Sequence, residues 1–185
     1  MRRLFVLAAA RGVSLATREA GAHTTELQGG LGVASFVSTW RGDYGGGGTL
    51  QLGARYAGVF GVDVMGWEAL ATVDRRLDTG LTLGITGYLP LEKVHPLARL
   101  FVIHQHEEAL VSVENAPFGV ALGIGAGIRH RVGGGLSLGA EFPLQTRDRT
   151  TWCLTTRATA IALAGILGPS AYFGIDAALG FDLVI

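Results

Sequence analysis

The chain of 185 residues has one cysteine, one lysine (Lys93), five prolines and only 16 % charged residues. A single Cys excludes a disulfide framework and any cysteine-based zinc site. Beyond the first fifteen positions no apolar run approaches the ~20 residues that a transmembrane helix needs. The formal net charge is zero, so there is no basic excess to attract nucleic acid. Disorder is excluded too, because 49 % of the residues are hydrophobic. What the chain has in quantity is glycine, 29 residues, more than twice the usual ~7 %.

Residues 1–22 read as a signal peptide. Arg2 and Arg3 form a positive start, Leu4 to Ala10 an apolar stretch, and Ala20-Gly21-Ala22 a small-residue cleavage site. The expected cut falls between Ala22 and His23. Residues 23–185 then form one β domain, because no heptads, long repeats or Pro/Ser linkers divide them.

Within 23–185, segments of about ten residues alternate apolar and small or polar side chains, separated by Gly- or Asp-rich breaks. They sit at roughly 24–37, 48–58, 60–73, 79–90, 97–106, 118–132, 136–145 and 171–185. In 118–132 the apolar face is Phe118, Val120, Leu122, Ile124, Ala126, Ile128 and Val132, interrupted by His130. Gly133-Gly134-Gly135 follows and reads as a hairpin turn between this segment and 136–145. Segment 147–170 is ambiguous between a further strand and a loop with a short helix at 158–167. Short breaks alternate with long ones (38–47, 73–78 and 107–117), so one end of the sheet is trimmed and the other elaborated.

The expected fold is all-β: an antiparallel up-and-down closed barrel, with eight strands as first choice and ten as second. Its polar face decides whether it is soluble or transmembrane. That face is mostly Gly and Ala with isolated charges, unlike a water-facing sheet. Glycines facing water would cost about 0.5–1 kcal/mol each relative to Ala and gain nothing. Facing a narrow lumen they leave room for the large charged side chains beside them. The reading is therefore a transmembrane barrel with its apolar face to lipid. The expected lumen network is Arg55, Glu68, Arg99, Arg129, Arg131, Glu141 and Asp176. Trp40, Tyr44, Trp67, Tyr88, Trp152 and Tyr172 are read as interfacial aromatics. The alternative is a secreted soluble β-barrel that binds a small apolar ligand.

The chain ends Gly180-Phe181-Asp182-Leu183-Val184-Ile185, with hydrophobic residues three and five positions after a glycine. In this spacing and in its strand layout it resembles the small Gram-negative outer-membrane β-barrels, the OmpA-like and OmpX-like class. It departs from their terminal pattern by ending in Ile and by carrying Leu183 where an aromatic is common. The resemblance implies an outer-membrane location and lipid contact. It further implies insertion by the barrel-assembly machinery through Gly180, Phe181, Leu183 and Ile185, a monomeric state, and a structural, anchoring or surface-contact role.

One cluster is dense in ligand types: His104-Gln105-His106-Glu107-Glu108. On a strand His104 and His106 share a face, and a third metal ligand would come from elsewhere, such as Glu108 or Asp74. No third ligand stands at a standard spacing, so neither a metal nor a cofactor is assigned. A lipid A-type hydrolase would need His104 or His106 with Ser112 and Glu114, but the H-x-S-N run of the deacylases is missing. The reading is non-enzymatic. Gly123, Gly125 and Gly127 alternate as lumen positions would, and lack the helix and lysine of a phosphate loop.

Overall fold

The structure is a computed structural model and describes residues 24–39, 41–110, 128–165 and 170–185. Eight strands follow one another: β1 Thr25–Ser38, β2 Tyr44–Tyr56, β3 Phe60–Ala71, β4 Arg76–Tyr88, β5 His95–Ala109, β6 Arg129–Arg147, β7 Thr150–Leu163 and β8 Ala171–Val184. Each pairs antiparallel with the next, and β8 pairs with β1, so the sheet is a closed up-and-down barrel. Closure satisfies every strand edge, which a sheet in lipid requires.

Period-2 alternation carries over directly into two surfaces. Leu31, Val33, Leu52, Leu83, Val102, Leu138 and Ile175 point outward, each more than 40 % exposed. Water would penalise such a wall, whereas hydrocarbon accepts it, so the barrel is of the membrane-spanning kind and the soluble alternative fails. Strands of 12–19 residues exceed the ~9–11 that a tilted strand needs to span a bilayer.

At one end two of the three connections are tight, with three residues between β2 and β3 and two between β6 and β7. Between β2 and β3, Ala57 (φ 52°) and Gly58 (φ 70°) both take the left-handed conformation, with the Val59 amide donating to the Tyr56 carbonyl at 3.1 Å. Two positive φ values in succession are what a turn with the strands' own twist demands, and the Tyr56–Phe60 pairing leaves three residues in the connection. The carboxyl ends of β1, β3, β5 and β7 lie at the other end, the loop end.

The strand count of eight holds, but the assignment changes. Gly133–Gly135 is not a turn. It lies inside β6, pairing Phe101–Ile103 of β5 on one side and Ile161–Leu163 of β7 on the other. The physical reason is space: a Cβ on Gly135 would lie 2.8 Å from Cε2 of the Phe101 ring. The ambiguous segment supplies β7, in extended form from Thr150 to Leu163. Residues 118–127, including Ile124 and the glycines at 123, 125 and 127, lie outside the described residues, as does Trp40.

The aromatic reading is also corrected in part. Tyr44 and Trp152 face outward, and Trp152 packs against Phe181 with ring centroids 6.1 Å apart. Trp67, Tyr88 and Tyr172 instead point into the lumen. Trp67 lies over Gly80, and Tyr172 meets Phe36 edge-on at 5.4 Å. Bulky rings fit inside an eight-stranded barrel where small residues leave them room.

Candidate functional site

The lumen is stratified. Nearest the tight-turn end, Arg55 of β2 gathers three carboxylates. Its Nε donates to Glu26 at 2.6 Å, its Nη1 to Glu141 at 2.8 Å, and its Nη2 to Asp182. His95 Nδ1 meets the same Glu141 oxygen at 3.0 Å, and Gln28 donates to Asp182 at 2.9 Å. The Tyr88 ring lies 4.9 Å from the Arg55 guanidinium and covers it.

The next pair is Arg99 with Asp63, among the most buried charges of the barrel at 2 % exposure each. Arg99 Nε donates to Asp63 Oδ1 at 2.8 Å and Nη2 donates to Thr82 Oγ1 at 2.8 Å. Thr86 donates to the other Asp63 oxygen at 3.1 Å. Gly84 makes room for the guanidinium, since a Cβ there would lie 2.6 Å from Cζ. Arg157 holds Asp176 through Nε at 2.9 Å and Nη2 at 2.8 Å, and donates to Gln51 at 2.6 Å. Buried ions are tolerated when fully paired and hydrogen-bonded, and these are.

An apolar layer of Phe36, Trp67, Phe101, Ile103, Ile161 and Leu163 follows toward the loop end. Beyond it Arg131 donates to Glu107 at 2.8 Å, and Gln105 donates to the Tyr172 hydroxyl at 3.1 Å. Asp78 stands 3.4 Å from that hydroxyl. Cavities of about 30 and 40 Å³ flank Arg99. Each has room for isolated waters, since one water needs about 10–15 Å³.

Of the residues expected in the lumen, Arg55, Arg99, Arg131, Glu141 and Asp176 are buried there. Arg129 stands at the rim, its Nη1 3.7 Å from Glu107. Glu68 is a correction: it is exposed, in phase with outward Val62 and Val64 on β3, and does not enter the lumen. Asp63, Glu107, Arg157 and Asp182 also belong to the network, beyond the residues that the sequence pattern singles out. Asp63 is readable between Val62 and Val64, on the opposite face from both.

On β8, Gly180 faces the lumen, while Phe181, Leu183 and Ile185 share the outward parity. Ala22 and His23 lie outside the described residues. His104 and His106 point outward from the wall, away from every lumen group. The third group beside them is neither Glu108, which is buried, nor Asp74, which pairs with Arg76 at 3.0 Å, but His130. Ser112 and Glu114 lie outside the described residues.

A closed eight-stranded barrel with an apolar wall and a packed, ion-paired lumen defines a class: the small membrane-spanning barrels of outer-membrane type. Compared with solved structures, the chain is similar to Neisserial surface protein A, with a TM-score of 0.56 at 14 % identity over 87 % of this chain and 97 % of that one. It also matches the outer-membrane protein OprG of Pseudomonas aeruginosa, with a TM-score of 0.48 at 15 % identity over 89 % and 96 %. The amino-terminal barrel of OprF from the same organism gives 0.47 at 11 % over 82 % and 98 %. The first of these supports the fold. No family model matches the chain, and no curated protein does.

Proposed function

We propose that the chain is a non-enzymatic structural barrel of the outer membrane, with a lumen closed to solute flow and a loop end that serves as its contact surface. The filled lumen carries this reading. Arg55, Arg99 and Arg157 each engage carboxylates within the lumen, and the Phe36–Trp67–Phe101–Tyr172 layer lies above them. Among the described residues a side chain stands at every level of the lumen, which supports a barrel without a through-channel. The same reading makes 1–22 a cleaved signal, Gly180–Ile185 the segment taken up by the assembly machinery, and the monomer the working form.

The test is reconstitution of the purified barrel in planar bilayers together with fractionation of the cells that make it. The expected outcome is recovery in the outer membrane and no conductance steps above leak. Regular, porin-like steps would overturn the closed-lumen role, and recovery in the soluble periplasm would overturn the location.

A further inference from the structure

From the outer wall, not the lumen, we infer a second site: His104, His106 and His130 form a three-histidine centre for a zinc-class divalent cation at the loop end of β5 and β6. His104 and His106 are two residues apart on β5 and therefore on one face. His130 is the second residue of β6 and stands directly opposite His106 in the register. The three ring centroids are 4.7, 5.6 and 4.5 Å apart, and one ring nitrogen from each lies within 4.8 Å of the other two. His104 Nε2 and His106 Nε2 are 2.8 Å apart.

Those separations suit a tetrahedral ion. With Zn–N bonds of about 2.0–2.1 Å, two ligand nitrogens at the tetrahedral angle stand roughly 3.3 Å apart. The nitrogen separations, from 2.8 Å up to 4.8 Å at most, bracket that spacing, and the pairing of β5 with β6 fixes the backbone positions. Three imidazoles with an open fourth position left for water is a recognised zinc donor set.

The surroundings strengthen the inference. Toward the middle of the strands the neighbouring outward residues are Leu81, Val102 and Val132, all more than half exposed. Leu81 and Val132 pair with His104 itself. On the loop side Thr79 stands opposite both His106 and Glu68, so the three rings mark the polar margin of the apolar wall. A bound cation gives all three a common partner. The lumen polar groups play no part, since Gln105, Glu107 and Arg131 lie on the opposite face of the same strands.

The experiment uses the full-length barrel, purified without a polyhistidine tag and folded in detergent, and titrates it with Zn²⁺ and Co²⁺. The expected result is one equivalent of Zn²⁺ per chain and the visible absorption of tetrahedral Co²⁺. His130→Ala should weaken Zn²⁺ binding by more than the ~10–100-fold typical of losing an outer-shell partner. His106→Gln should do the same, whereas His95→Asn, in the lumen, should bind as the parent does. The unheated mobility of each variant on SDS gels reports that it is folded. Absence of a stoichiometric site, or full binding by folded His130→Ala, would overturn the inference.

Discussion

A buried guanidinium and a partly exposed one obey different rules, and the barrel holds both. Arg99 and Asp63 are almost wholly screened from solvent, while Arg76 and Asp74 pair at the rim with side chains 16 % and 26 % exposed. Removing one member of the inner pair strands the other in a dry setting, so Arg99→Met alone should cost about 3–5 kcal/mol. The double variant with Asp63→Asn should cost less than the sum of the singles. The rim pair should show a coupling of only about 0–1 kcal/mol, because water screens it. Double-mutant cycles from reversible unfolding in lipid vesicles measure both couplings. Equal, near-zero couplings would mean that water fills the lumen as freely as the rim.

Each strand serves two environments, and its residues sort by parity. Val102 lies near the middle of β5 and is 61 % exposed on the wall, between lumen residues Phe101 and Ile103. Val102→Arg should therefore cost about 2–4 kcal/mol, the depth-dependent penalty of a cation at the bilayer midplane. The check is the unfolding free energy in vesicles, with Glu68→Lys as the comparison. Glu68 already bears charge on the wall near the loop end, so that change should stay within about 1 kcal/mol. If Val102→Arg left the barrel as stable as the parent, this face would not meet lipid.

Over the whole molecule, the closing seam does what no single strand can. β8 pairs with both β1 and β7, Leu179 standing opposite Leu31 on one side and Leu154 on the other. A chain ended before Ala171 leaves two unpaired edges, each unsatisfied backbone group costing several kcal/mol in hydrocarbon. Such a chain should neither integrate into vesicles nor show the heat-dependent gel mobility of a closed barrel. Flotation with lipid followed by unheated electrophoresis checks both. Integration of the truncated chain would show that closure is not what holds the fold.

Alternation alone is enough for the class of fold and for which face meets lipid. On β8, Phe173, Ile175, Ala177 and Leu179 alternate along the sequence and all four face outward. Side-chain parity is a local property of an extended chain, so it needs no knowledge of neighbours. Partners are not local. Whether Gly133–Gly135 is a turn or a place for a ring depends on Phe101, which only strand pairing brings there. Glu68 escapes the sequence reading because Gly66 lies on the wall and Trp67 in the lumen, reversing the usual relation of size to face on β3. His130 is 24 positions beyond His106 in the chain, and only the register of β5 on β6 sets the two side by side. The sequence by itself determined the two surfaces of the sheet; tertiary structure decided which residues meet across them, because register and closure are properties of the assembled barrel.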